Sequence, residues 1–266
     1  MTSDAPLLID HRGAVDWLTL NRPASGNALN PALVDALAGY FEGLPDRPAT
    51  RAVVLRANGR HFCAGLDLTD TAFNPPERGP GPLWDIQRRI ARIYPAMRRC
   101  PQPIIALAQG AACGGGFSLL MASDIRIAGE SARMNAAYLR IGLTGCDMGS
   151  SYFLPRLVGS SLASELLLTG RFLEAERALA TGFVSAVVPD AELATAAASY
   201  LDDMLAATPM GLRLTKEALN HALDAPGLEA AMAMENRHQS LLALSEDAAE
   251  AAQAFVEKRA PQFHDR

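Results

Sequence analysis

The stretch Ala111-Ala-Cys-Gly-Gly-Gly-Phe-Ser-Leu-Leu-Met-Ala-Ser-Asp124 decides how the chain is read. It sets three consecutive glycines at the mouth of an apolar, helix-like run and a neutral Ser118 just inside it. Consecutive glycines cost backbone entropy and offer no side chain to pack. A folded chain keeps them where its backbone must approach another group closely or turn through positive φ. The group approached is expected to be a ligand. A buried strand, Ile104-Ile-Ala-Leu-Ala108, precedes the glycines, and Ile125-Arg-Ile-Ala128 follows the apolar run, so the glycines lie at a strand-to-helix junction.

Working outward, Leu7-Leu-Ile-Asp-His and Ala14-Val-Asp-Trp-Leu-Thr-Leu20 flank Arg12-Gly13 as an opening β-hairpin. Asn30-Pro31 supplies an N-cap and a first-turn proline for a helix over about 32–43, with Leu33, Leu37 and Phe41 at helical spacing. A strand over 52–57 and a helix over 84–99 come next. Between them, the breaker-rich loop 74–82 is expected to cover a site. Beyond residue 160 the pattern turns helical: 161–169 stopped by Gly170, 174–180 stopped by Gly182, a short strand over 183–188, then alanine-rich segments such as 228–244 with no strand pattern. The division expected is a core over 1–200 and a helical region over 201–266.

The 266 residues, with a formal charge of −5, give no electrostatic reason to expect nucleic acid or an anionic membrane as partner. No apolar run approaches the roughly 20 residues that span a bilayer, and the N-terminus has no basic region followed by an apolar core. A soluble cytoplasmic protein is expected. Cys63, Cys100, Cys113 and Cys146 stand apart, without Cys-x-x-Cys or a nearby His at ligand spacing, so no metal is expected and reduced thiols fit that compartment.

Four stretches together carry a resemblance: Leu20-Asn-Arg-Pro23 followed by Asn27-Ala-Leu29; His61-Phe-Cys-Ala-Gly-Leu-Asp-Leu68; Gln109-Gly-Ala-Ala-Cys-Gly-Gly-Gly-Phe117 with Ala122-Ser-Asp-Ile-Arg126; and Phe255-Val-Glu-Lys-Arg259. In order and spacing the chain resembles the crotonase superfamily, the enoyl-CoA hydratase/isomerase family. The resemblance implies an α/β fold, a spiral of ββα turns with a C-terminal helical trimerisation region, assembled as a homotrimer or homohexamer. It also implies an acyl-CoA thioester as substrate, with coenzyme A entering as part of that substrate and no separate cofactor. The chemistry of such enzymes places negative charge on the thioester oxygen, which preorganised backbone N–H groups stabilise. By position in the matched motifs those donors are the amides of Leu66 and Gly115, with Gly114 and Gly116 serving close approach.

The family's hydratases carry two glutamates for acid/base work. At the corresponding positions this chain has Ser118 and Tyr138. A neutral serine cannot replace a carboxylate in adding water. Tyr138 fits either a proton donor or an aromatic wall of the acyl pocket. The remaining acidic candidate is Asp147, in Gly142-Leu-Thr-Gly-Cys-Asp-Met-Gly149, where similar isomerases and dehalogenases of the family hold a working carboxylate. Its roles are general acid/base or nucleophile, and its competing reading is a cap on a helix starting near Met148. For coenzyme A, the resemblance implies contacts from Arg22, Asn27, Ala28, Ala64, Phe255 and Lys258, the last two often reaching a neighbouring subunit. Asp67 and Asp124 read as turn or helix caps, and His61 as a solvent-facing strand end.

The function expected first is that of an enoyl-CoA hydratase/isomerase-family enzyme acting on an acyl-CoA through the Leu66 and Gly115 amides, with Asp147 as acid/base and double-bond isomerisation favoured over hydration within that class. The alternatives are an acyl-CoA hydrolase or dehalogenase with Asp147 as nucleophile, and a non-catalytic CoA-binding protein.

Overall fold

A computed structural model describes residues 4–73 and 79–266. The chain opens with β1 (Leu7–Arg12) and β2 (Val15–Leu20), an antiparallel hairpin that pairs Leu7 with Leu20 and turns at Gly13, whose φ is 60°. The side chain of Asn30 accepts the Leu33 N–H and so caps α1 (Pro31–Gly43), which buries Leu33, Val34, Leu37 and Phe41 along one stripe. Parallel to β2 runs β3 (Ala52–Ala57).

The helix expected over 84–99 begins earlier and is broken. α2 spans Pro80–Ala91 and α3 spans Ile93–Arg99. Pro80 and Pro82 fit a first turn, where no N–H is required, while Pro95 cannot donate to the Ala91 carbonyl and interrupts the ladder there. Of the loop expected over 74–82, residues 74–78 lie outside the described residues.

The glycine run joins β4 (Ile104–Ala108) and the short β5 (Ala111–Cys113) to α4 (Gly115–Ala122), which is buried throughout and leads into β6 (Ile125–Gly129). Next come β7 (Arg133–Asn135) and α5 (Ser150–Thr169), the latter longer than expected and interrupted at Gly159, φ 79°. β8 (Leu173–Glu174) and α6 (Ala175–Ala180) follow, then β9 (Ala186–Val188). The strand expected from residue 183 starts three residues later, because the Phe183 and Val184 amides close the end of α6 on the Ala178 carbonyl. The chain finishes with α7 (Leu193–Ala206), α8 (Pro209–Ala222), α9 (Leu228–Leu242) and α10 (Glu246–Glu257).

Two sheets result, a six-stranded one ordered β1-β2-β3-β4-β6-β9 and a three-stranded one ordered β5-β7-β8. Alternation along the strands buries both faces of the larger sheet. Leu18, Leu20, Leu55 and Ala106 pack with α1, α3 and α4, while Trp17, Val54, Ile105 and Ile127 pack with Leu193, Ala197 and Leu201 of α7. The division expected at residue 200 therefore falls inside a helix that belongs to the core. Among the described residues no helix is long and apolar enough to cross a membrane.

Candidate active site

The segment around Cys63 ties the two glycine motifs together. Cys63 N–H donates to the Ala111 carbonyl at 3.1 Å, and Cys113 N–H donates to the Cys63 carbonyl at 2.9 Å. On its other side, Leu29 N–H donates to Gly65 O at 2.7 Å and Asp67 N–H to Leu29 O at 3.0 Å. The backbones are closest at Gly116, where a Cβ would lie 2.4 Å from the Cys63 carbonyl oxygen. Gly65, at φ 98°, would bring a Cβ to 3.0 Å from the Cys113 oxygen, so both glycines are required by contact.

Between these stitches, the amides of Leu66 and Gly115 donate to no other group among the described residues. Gly115 N–H belongs to the first turn of α4, where four amides have no intrahelical acceptor and the helix dipole favours negative charge. Two unspent donors beside a glycine-lined backbone can receive an oxyanion.

Ser118 and Tyr138 come together. Their hydroxyls lie 2.9 Å apart, Ser118 is fully buried, and the Tyr138 ring packs on Gly114. Burial pushes the Tyr138 phenol well above its ordinary range, with the Ser118 hydrogen bond opposing it, so the phenol stays protonated at neutral pH. Tyr94, also buried, donates to the Gly115 carbonyl at 3.1 Å and sits 3.0 Å from Sδ of Met148. Met148 adopts φ 49°, a left-handed conformation uncommon for this side chain, immediately after Asp147.

Asp147 does not cap α5. That helix starts at Ser150 behind Gly149, and the carboxylate instead accepts the Met148 N–H at 2.7 Å and the side-chain amide of Gln87. Partial burial raises the Asp147 pKa, and those two hydrogen bonds oppose the rise. Gln87 also lines a cavity of about 400 Å³ that has Leu66 on its wall. The cavity thus touches both Leu66 and the group that holds Asp147.

The residues expected at coenzyme A divide. Arg22 is partly exposed but engaged, with Nη2 2.9 Å from Asp67 and Nη1 donating to the Ala28 carbonyl. Asn27 is fully buried at φ 55°; its Oδ1 accepts the Arg22 N–H and its Nδ2 donates to the carbonyls of Asn58 and His61. Its side chain shapes the segment and offers nothing to a ligand. Ala28 is buried and Ala64 exposed. Phe255 is 85% exposed on α10, and Lys258 follows as the C-cap of that helix.

Asp67 closes a turn on Thr69, and Asp124 accepts the Ile104 N–H while pairing with Arg98 and the buried Lys216. His61 is partly buried, and its Nδ1 accepts the Ala111 N–H. Burial lifts the Cys63 thiol to about 12 and raises that of Cys113, so neither is a thiolate at neutral pH.

Sequence reasoning missed Gln87, Tyr94 and Met148. Gln87 could have been found, because Leu83, Ile86 and Ile90 share its helical face and a lone amide among them is out of pattern. Tyr94 reads as ordinary core from its spacing to Ile90, Ile93 and Met97.

A two-sheet α/β core with unspent amides at a glycine-rich junction is suited to stabilising an oxyanion. The comparisons narrow that role. The Enoyl-CoA hydratase/isomerase family model matches residues 10–266. A Mycobacterium bovis protein named "Probable enoyl-CoA hydratase" is 37% identical over 264 residues, covering 97% of this chain and 93% of its own. The 1,2-epoxyphenylacetyl-CoA isomerase of Escherichia coli is 36% identical over 250 residues, covering 92% and 93%. The crystal structure of an enoyl-CoA hydratase from Bacillus anthracis superposes with a TM-score of 0.92 at 31% identity, covering 98% of this chain and 100% of that one. The chain belongs to the enoyl-CoA hydratase/isomerase family, has the crotonase fold, and is an enzyme of that family acting on an acyl-CoA.

Proposed function

We propose that this enzyme moves a proton along an acyl-CoA, shifting a double bond, with Leu66 and Gly115 N–H holding the thioester oxygen and Asp147 as acid and base. The observation that carries the reading is Asp147. It is a carboxyl tethered by Gln87 beside the Leu66 cavity, and burial raises its pKa, which makes its ionised form a stronger base than an exposed aspartate.

Ionised Asp147 removes a proton from the carbon next to the conjugated system, and the electron pair moves onto the thioester oxygen as an enolate. The two amides stabilise that charge, each contributing on the order of 3 kcal/mol in a site without competing water. Protonated Asp147 then returns the proton to a different carbon, and the double bond reforms one position along. Ser118 and Tyr138, where the family's hydratases have glutamates, hold each other and support Gly114. They supply no base for a water molecule.

Self-assembly belongs to the same proposal. The C-terminal helices leave Leu219, Leu228, Leu241, Leu244, Phe255 and Val256 exposed, an apolar surface suited to a trimer or a dimer of trimers in which Phe255 and Lys258 reach a neighbour's coenzyme A.

Incubating the protein with enoyl- and dienoyl-CoA thioesters in deuterated water, read by mass spectrometry, tests the chemistry. Deuterium uptake without a gain of water is the expected result. A gain of water would show hydration, and free acid with an acyl-enzyme intermediate would show Asp147 acting as a nucleophile.

A further inference from the structure

The cavity of about 400 Å³ beside Leu66 is walled by Leu66, Phe73, Ile86 and Ile90, with Leu68, Ile141 and Leu143 half exposed at its rim. Gln87 is the one polar side chain on this wall among the described residues, and its amide nitrogen is already bound to Asp147. Two flanking cations are also engaged. Arg89, centred 6.0 Å from the Phe73 ring, is paired with Asp35, and Arg22 is paired with Asp67.

We infer that the acyl group this enzyme accepts is apolar to its far end, and that an acyl chain ending in a carboxylate is rejected. The inference rests on the reading of Leu66, Gly115 and Asp147 given above, which places the acyl group in this cavity. Each methylene buried against such a wall tightens binding by about fourfold. A terminal carboxylate entering it would shed its water and, among the described residues, meet one neutral donor at most, the second N–H of the Gln87 amide, because the Arg22 and Arg89 guanidinium groups are paired with carboxylates. Selectivity then follows from the unpaired charge as much as from apolar contact.

Saturated thioesters test this without turnover. The full-length protein is titrated calorimetrically with acetyl-, butanoyl- and hexanoyl-CoA, and with adipoyl-CoA, in which a carboxylate replaces the terminal methyl of hexanoyl-CoA. Affinity is expected to rise at least about tenfold from acetyl to hexanoyl, with adipoyl-CoA at least about 30-fold weaker than hexanoyl-CoA. Leu143→Arg, at the exposed rim, is expected to narrow that gap about tenfold by tightening adipoyl-CoA. Equal binding of hexanoyl- and adipoyl-CoA by the parent overturns the inference while leaving the thioester site intact, as does a Leu143→Arg variant that weakens both alike. Failure of all four thioesters to bind overturns the site reading and this inference with it.

Discussion

Replacing Gly116 by alanine places a methyl group 2.4 Å from the Cys63 carbonyl oxygen and 2.7 Å from Cys63 Cβ, both inside the wall that holds the two free amides. An ordinary carbon-to-oxygen contact is about 3.3 Å, so α4 and the Cys63 segment must part by roughly 0.9 Å. The Cys63–Ala112 bridge resists that movement, and Cys63 itself is fully buried. Overpacking of this kind costs about 1–3 kcal/mol of stability. The larger effect is on catalysis, because Leu66 and Gly115 sit on the two pieces being separated, and a misplacement near 1 Å costs about 10²-fold. The assay is kcat/KM on an enoyl-CoA thioester, with urea unfolding measured on the same preparation. Gly39→Ala is the control. It lies on the exposed face of α1 with nothing within 4 Å of its added Cβ, and it should leave activity unchanged while adding about 0.5–1 kcal/mol of stability. Wild-type kcat/KM in a folded Gly116→Ala variant would refute the assignment of the hole to these two segments.

Other consequences can be checked independently. Activity needs ionised Asp147 and is lost as pH falls through its raised pKa, and Gln87→Leu removes a hydrogen bond that favours the ionised form, so the acid limb of the kcat/KM profile should move to higher pH; an unmoved limb with a uniform loss would show that Gln87 acts only as packing. Because the fold favours neutral Asp147, the stability contributed by its protonated form is present below the unfolded carboxyl pKa and lost as pH rises through the folded one, so the stability of Asp147→Asn relative to the parent should increase from pH 4 to pH 7 in denaturant titrations. Tyr94→Phe removes the donor to the Gly115 carbonyl and should lower kcat about three- to tenfold with little change in KM, measured by steady-state kinetics. Asn27→Ala loses the three hydrogen bonds of a buried side chain and should destabilise the protein by about 2–4 kcal/mol by chemical denaturation.

Much of this was legible in the chain because local rules and tertiary packing agree. Asn30-Pro31 starts a helix, Gly13 turns a hairpin, and the glycines at 114–116 mark the strand-to-helix junction. The failures have physical causes. Pro95 breaks a helix whose apolar spacing continues through it, and the Phe183 and Val184 amides are taken by the end of α6 before the sheet can use them. At the site, backbone motifs were readable because glycine reports directly on close approach. Side-chain partnerships were not, since the pairing of Ser118 with Tyr138, and of Asp147 with Gln87, joins residues 20 and 60 positions apart. The bonding of the Asn27 side chain was hidden for a related reason: its place in a segment says nothing about whether that side chain faces outward or into the fold.

The most direct test of Asp147 is solvent-deuterium exchange into a bound enoyl-CoA, compared between the parent and Asp147→Asn, with thioester affinity measured alongside. Loss of exchange by about 10²–10⁴-fold at unchanged affinity is the result predicted for the acid/base group. Exchange at the parental rate in the variant would contradict the account and move the proton transfer to another residue.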